Sequence, residues 1–349
     1  MHRFAPLLLL AGCGPTTTAT DASTDSTMGP DTATDDGGSD TGADSGPPLI
    51  GKCGDPLPLG ATGAPDPPMF AGTCPAIADP PAFHVIATKG NMRRYLVYRP
   101  QPAMQGEKLP VIFVWHYLGS DPLGMAGKVD AQNAVNTFRM VLVIPEAKGD
   151  VTFKWPFESG QPQARIDEEL AFFEDMLACT AQSFSIDKNC VSSMGVSAGA
   201  LFTDQLAHLR SERLSSFVSL SGGTGGFVRN WAPATHGLPA MVLWGGPNDL
   251  FPPQFPILLF ETLSKNLEQG LATDGHFIVE CIHNCGHAVP PFEYMPPLEI
   301  VWRFLLDHPF WESRGVSVYT TSGLPKSAPT WCAIGKGNAT PRDSDAGCQ

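Results

Sequence analysis

Long apolar runs are missing from this 349-residue chain. After a short leucine stretch, Leu7 to Leu10, no segment stays apolar over the roughly 20 residues that a membrane-crossing helix needs. Basic charge is also scarce: 22 Lys and Arg face 35 Asp and Glu, for a formal net charge of −13. No basic stripe exists, which leaves a nucleic-acid partner without electrostatic support. There is no internal repeat. Residues 14–49 hold no Lys, Arg or aromatic residue and are almost wholly Thr, Asp, Ser, Gly, Ala and Pro. Such a stretch cannot bury enough apolar surface to offset its ordering entropy, so a disordered tether is expected over 13–49. Its seven Asp carry about half of the net charge, and the remaining body is only mildly acidic.

Ahead of the tether, Arg3, the Leu7–Leu10 run and Ala11-Gly12 have the form of a cleaved export signal, residues 1–12. The Leu10-Ala11-Gly12-Cys13 ending resembles a bacterial lipobox, in which the cysteine is acylated and becomes the new N-terminus. Cys13 is therefore the expected lipidation site. An exported protein lipid-anchored in the cell envelope is expected, touching the membrane only through that lipid. The remaining eight cysteines, an even number, suggest up to four disulfides. Proximity in sequence favours Cys53–Cys74, Cys179–Cys190 and Cys332–Cys348, leaving Cys281 with Cys285.

The body, 50–308, is ample for a large core at 42% hydrophobic content. Past a Pro/Gly-rich lead-in (50–82), strand patterns fall at 83–88, 94–99, 110–116, 139–145, 190–196, 215–220, 239–245 and 276–282. Several are near-continuous apolar runs, as in strands covered on both faces. Helical patterns fall at 165–181, 199–210, 256–269 and 296–307. The alternation predicts an α/β fold with a mostly parallel central sheet and helices on both faces. The first two strands have no helix between them, which suits an antiparallel edge hairpin. Residues 309–349 lack clear periodicity and read as an irregular tail stapled through Cys332 and Cys348.

Gly195-Val196-Ser197-Ala198-Gly199 lies between a strand and a helix, the setting of a nucleophile elbow. A turn that sharp strains the serine backbone and leaves little room for side chains two residues away. It presents the Ser197 hydroxyl at the sheet's carboxyl edge and leaves the Ala198 amide facing a developing oxyanion. A serine needs a base, and the base a carboxylate. In the order Ser, acid, His, His287 follows the last strand in a Cys285-Gly286-His287 loop, with His283 as competitor. Asp249 leaves the 239–245 strand through a turn, with Asp274 as fallback. The second oxyanion donor is expected after strand 110–116, at the Tyr117 amide. Cys281, His283, Cys285 and His287 are zinc-ligand types, but alternate strand residues stand about 6.6 Å apart, so four cannot surround one ion. No metal and no cofactor are expected.

These motifs together resemble the polyhydroxybutyrate-depolymerase-like and feruloyl/acetylxylan-esterase-like α/β-hydrolases, over roughly 83–307. The likeness rests on Ser185-Ile186-Asp187, Gly195-Val196-Ser197-Ala198-Gly199, Asn248-Asp249 with Pro252-Pro253, and Gly286-His287 with Pro290. It implies the α/β-hydrolase fold, with Ser197, Asp249 and His287 as nucleophile, acid and base. It also implies an aromatic wall at Lys154-Trp155-Pro156, making Trp155 and Phe157 substrate contacts. The chain departs from the family where His-Gly-Cys reads His116-Tyr117-Leu118 and where Gly-Gly-His reads Cys285-Gly286-His287. The expected activity is hydrolysis of a small or polymeric ester (a polyester, esterified polysaccharide or phenolic ester) by a monomer. A peptidase on the same scaffold and a catalytically inactive surface-binding protein are the alternatives.

Overall fold

In the computed structural model, residues 49–77, 81–292 and 296–348 are described. The signal, Cys13 and all but the last residue of the tether lie outside them. The strands are β1 (His84–Thr88), β2 (Asn91–Tyr98), β3 (Leu109–Trp115), β4 (Val141–Pro145), β5 (Ile186–Val196), β6 (Ser216–Leu220), β7 (Ala240–Trp244), β8 (Leu250–Phe251), β9 (Leu258–Leu259), β10 (Ile278–Ile282) and β11 (Cys332–Ile334). The helices are α1 (Pro122–Lys128), α2 (Ala131–Phe138), α3 (Gln163–Ser183), α4 (Ala198–Leu209), α5 (Phe260–Thr273), α6 (Glu299–Leu306) and α7 (Val318–Ser322).

Nine strands form one sheet in the order β1-β2-β4-β3-β5-β6-β7-β10-β11. The six from β4 to β10 are parallel to their neighbours. The β1–β2 hairpin and β11 add antiparallel edges. Every residue of β3, β4, β6 and β7 is buried, because helices cover both faces. The edge strand β1 alternates buried and exposed residues instead. One core layer packs α3, α4 and α5 against the sheet around Phe113, Trp115, Phe173, Phe202 and Leu267. The other packs α1, α2 and α6 around Ile112, Met125, Val135, Met194 and Trp302.

All eight strand patterns and all four helical ones form elements. Helices α1, α2 and α7 and the strands β8, β9 and β11 gave no usable pattern, being short, and α1 also contains two glycines. Its start is fixed by Asp121, whose Oδ1 accepts the Gly124 amide at 2.8 Å. The C-terminal stretch is not wholly irregular: it supplies α7 and the edge strand β11. Some acidic residues of α3 are buried. Glu169 is fully buried and receives Arg93 at 2.6 and 3.2 Å and Arg165 at 2.7 Å. This cluster ties the edge hairpin to α3.

The three pairings expected from sequence proximity, and the Cys281–Cys285 pair left over from them, are all replaced. The bonds are Cys53–Cys190, Cys74–Cys179, Cys281–Cys332 and Cys285–Cys348. A disulfide needs its Cα atoms within about 7 Å, and it is the folded path that meets this. Two bonds sew the lead-in to β5 and α3; two sew the tail to β10 and the loop after it. Four disulfides are the mark of a chain that folds in an oxidising, exported compartment. Among the described residues, no helix is long and apolar enough to cross a membrane.

Asp204 on α4 is fully buried, its Oδ2 accepting the Gly223 amide at 2.6 Å and the Ser219 hydroxyl at 3.0 Å. Burial pushes its pKa from 3.8 up to about 8. Between those values the folded carboxyl keeps a proton that the unfolded chain has lost, so stability falls as pH rises through that window. One such group contributes a slope of about 1.4 kcal/mol per pH unit. Asp204→Asn is expected to flatten the decline in Tm between pH 6 and 8, read by circular dichroism. An unchanged slope would place the titration elsewhere.

Candidate active site

Because β5, β6, β7 and β10 are adjacent and parallel, their carboxyl ends share one edge of the sheet. Ser197 follows β5, Asp249 follows β7 and His287 lies five residues beyond β10. The structure brings these three together: His287 Nε2 lies 2.9 Å from Ser197 Oγ, and His287 Nδ1 lies 2.6 Å from Asp249 Oδ1. With a carboxylate on Nδ1, the ring's proton sits there, and Nε2 is left to accept the serine hydroxyl.

Ser197 has φ 54° and ψ −121°, a conformation that strains any residue with a side chain. The surroundings enforce it. A Cβ on Gly195 would lie 2.2 Å from the Gly199 carbonyl oxygen, and one on Gly199 would lie 2.1 Å from the Trp115 oxygen. The elbow therefore needs both glycines, as its pattern suggested. Ser197 also donates its amide to Leu220 at 2.8 Å, pinning the turn to β6.

Asp249 is fully buried, and its second oxygen is held too. Oδ2 accepts the Ser221 hydroxyl at 2.7 Å and the Gly245 amide at 2.8 Å. Ser221 was not singled out in the sequence; its place directly after β6, at the same edge, was the available signal. The turn carrying Asp249 crosses the His287 loop closely enough that a Cβ on Gly245 would meet Gly286 O at 1.9 Å. Phe260 stacks flat on the His287 ring, 4.5 Å between centroids and 9° between planes. The loop's far end is bound to the tail by Cys285–Cys348 and by the Asn284 side chain donating to Arg342 O at 3.1 Å.

His283 is buried and does not reach Ser197. Its Nδ1 accepts the Cys285 amide at 3.3 Å, and burial pushes its pKa down to about 4. Asp274 pairs instead with His276 at 2.8 Å and Arg314 at 3.3 Å. Cys281 and Cys285 are both taken by disulfides, which removes them as metal ligands.

The Tyr117 and Ala198 amides have no acceptor among the described residues. Ala198 opens α4, where the first amides are free by geometry. The Tyr117 loop is braced from below. Its carbonyl accepts His116 Nδ1 at 2.9 Å, and the His116 carbonyl accepts the Trp155 indole at 2.8 Å. Trp155 and Phe157 are fully buried, so neither can contact substrate as expected. Trp155 packs at 5.0 Å against Trp115 and stacks on Phe202 at 5.9 Å. The aromatic segment supports the Tyr117 loop from inside the core, where its apolar area is better hidden than in an exposed wall.

Above Ser197 opens a pocket of about 300 Å³. Its walls are apolar, including Met125, Val129, Leu220, Leu243, Pro290 and Leu298. A hydroxyl with a base, an oriented carboxylate and two free amides beside an apolar pocket can attack a carbonyl and hold the resulting oxyanion.

No family model matches the chain. Over 144 residues it is 26% identical to feruloyl esterase D of Neurospora crassa, a stretch covering 38% of this chain and 46% of that relative. The chain thus matches less than half the length of that protein. The solved structure of native sOPH superposes with a TM-score of 0.59 at 15% identity, covering 79% of this chain and 99% of the other. This chain has the α/β-hydrolase fold. Native pOPH agrees, with a TM-score of 0.56 at 16% identity over 76% of this chain and 97% of its own. Identities this low report the fold. The resemblance drawn from the motifs is matched by the feruloyl esterase D similarity, and the chain carries Ser197, Asp249 and His287 in the order expected of the fold.

Proposed function

We propose that this protein is a serine esterase that hydrolyses carboxylic esters through an acyl-Ser197 intermediate. The observation that carries the reading is the continuous hydrogen-bonded line from Ser197 through His287 to Asp249. His287 takes the hydroxyl proton as Ser197 attacks the ester carbonyl. The Tyr117 and Ala198 amides hold the oxyanion, and His287 returns the proton to the departing alcohol. Water then repeats the sequence and releases the acid. Asp249 keeps the imidazole in the working tautomer, while Ser221 and the Gly245 amide keep Asp249 in place. The substrate class is a short ester or the ester linkage of a polymer, in keeping with a feruloyl esterase among the similar proteins. No partner subunit enters this scheme, and the enzyme works as a monomer.

A fluorophosphonate probe tests the reading. Mass spectrometry is expected to find the adduct on Ser197, with p-nitrophenyl esters turned over and peptide amides not. A folded protein without the adduct overturns the proposal, and turnover of peptides in preference to esters replaces it with a peptidase. We further propose that Cys13 is acylated on export, from the Leu10-Ala11-Gly12-Cys13 motif. Palmitate incorporation in a bacterial host is expected for the full chain and lost in Cys13→Ala; equal labelling of both would refute the anchor.

A further inference from the structure

The pocket beside Ser197 has a charge pattern that ester hydrolysis alone does not require. Its walls are largely apolar, and among the described residues no Asp or Glu lines it. One charged side chain does: Lys128, in the last turn of α1. Lys128 has no acidic partner among the described residues, although 35 Asp and Glu are present in the chain. Several other cations are paired with acids, among them Arg93, Arg94, Arg139 and Arg165. The pocket's polar side chains outside the Ser197–His287–Asp249 line are the Tyr117 phenol, Ser221, whose proton is committed to Asp249, and His283. His283 Nδ1 accepts a backbone amide, so its proton is on Nε2, which has no acceptor among the described residues. The pocket's one charged side chain thus has no carboxylate to match it among the described residues.

We infer that the pocket selects esters carrying a carboxylate beyond a short apolar spacer, with Lys128 as its counter-ion. The inference rests on the esterase reading and names the substrate class for the same site. An apolar spacer fits the Met125, Val129 and Leu298 walls. A carboxylate at its end meets, at the exposed rim of the pocket, a cation whose charge nothing else in the described residues neutralises, an attraction that solvent and salt weaken but do not remove. A neutral acyl or alcohol group of the same length fills the walls and leaves Lys128 unpaired. The carboxylate can sit on either half of the ester, as in a half-ester of a dicarboxylic acid or an ester of a hydroxy acid.

The test is a ratio of kcat/KM values. One arm compares the p-nitrophenyl half-ester of glutaric acid with p-nitrophenyl hexanoate. The other compares the butyrate ester of 4-hydroxybutyrate with butyl butyrate. In wild type, the charged member of at least one pair is expected to lead by roughly two- to fivefold, about one solvent-exposed ion pair. That lead should shrink as salt is added. In Lys128→Met, which keeps an apolar stem, the ratio is expected to fall to about one, and in Lys128→Glu to invert. A neutral member equal or preferred in both pairs overturns the inference, as does a charged preference that survives Lys128→Met. Failure of every ester, with no fluorophosphonate adduct on Ser197, would instead sink the esterase reading on which this one stands.

Discussion

Ser197→Ala is expected to leave the fold intact and lower ester turnover by roughly 10⁴- to 10⁶-fold. The hydroxyl makes its hydrogen bond to His287 Nε2 at 2.9 Å, and its removal leaves that nitrogen to water. The nucleophile is lost, and with it the acyl intermediate. The Tyr117 and Ala198 amides remain, so a small residual rate above the uncatalysed reaction should persist. Stability should barely change, because the glycines that shape the turn are untouched and alanine loses no core packing. Steady-state rates with p-nitrophenyl acetate, alongside a thermal melt, give both readings. Turnover within tenfold of wild type would mean that another group attacks the ester.

Gly199→Ala is expected to damage the enzyme from a position that carries no functional group. The new Cβ would lie 2.1 Å from Trp115 O, 2.5 Å from Trp115 C and 2.8 Å from His116 O. These are backbone atoms at the end of the central strand β3, so no side-chain rotation relieves the clash. Either α4 moves away from β3 or the Tyr117 loop is pushed up. Both displace a group that must lie within a few tenths of an ångström of its working place. The expected loss is roughly 100- to 1000-fold in kcat, comparable to losing one oxyanion donor. Overpacking at a backbone contact should add about 1–3 kcal/mol of destabilisation. Gly127→Ala on α1 is the control. A Cβ there meets nothing within 4 Å, so helix propensity should make it neutral or stabilising by about 0.5–1 kcal/mol. Near-normal turnover in Gly199→Ala would show that the elbow and oxyanion loop are not coupled through this contact.

The strand and helix pattern and the identity of the three central residues were legible without coordinates. Buried parallel strands write themselves as apolar runs, so the sheet could be traced from β1 to β10. Once strands are known to be parallel, residues just past their carboxyl ends must share an edge. That is why Ser197, Asp249 and His287 could be chosen over His283 and Asp274 by place alone. The glycines at 195 and 199 carried a steric requirement that any strand-to-helix turn imposes on its neighbours.

Tertiary structure alone decided the rest, wherever the outcome depends on which segments meet. Disulfide partners lie 51 to 137 residues apart, because the folded path brings distant cysteines within bonding range. Trp155 and Phe157 are large apolar side chains that could face substrate or core with the same local sequence. Packing against Trp115 and Phe202, with the indole bonded to His116 O, sent them inward. Ser221 took its place beside Asp249 because β6 lies next to β7. The charge of the pocket came from α1, a helix too short and glycine-rich to stand out in sequence. Local chemistry named the three side chains that come together, and long-range packing set their support and the walls of the pocket above them.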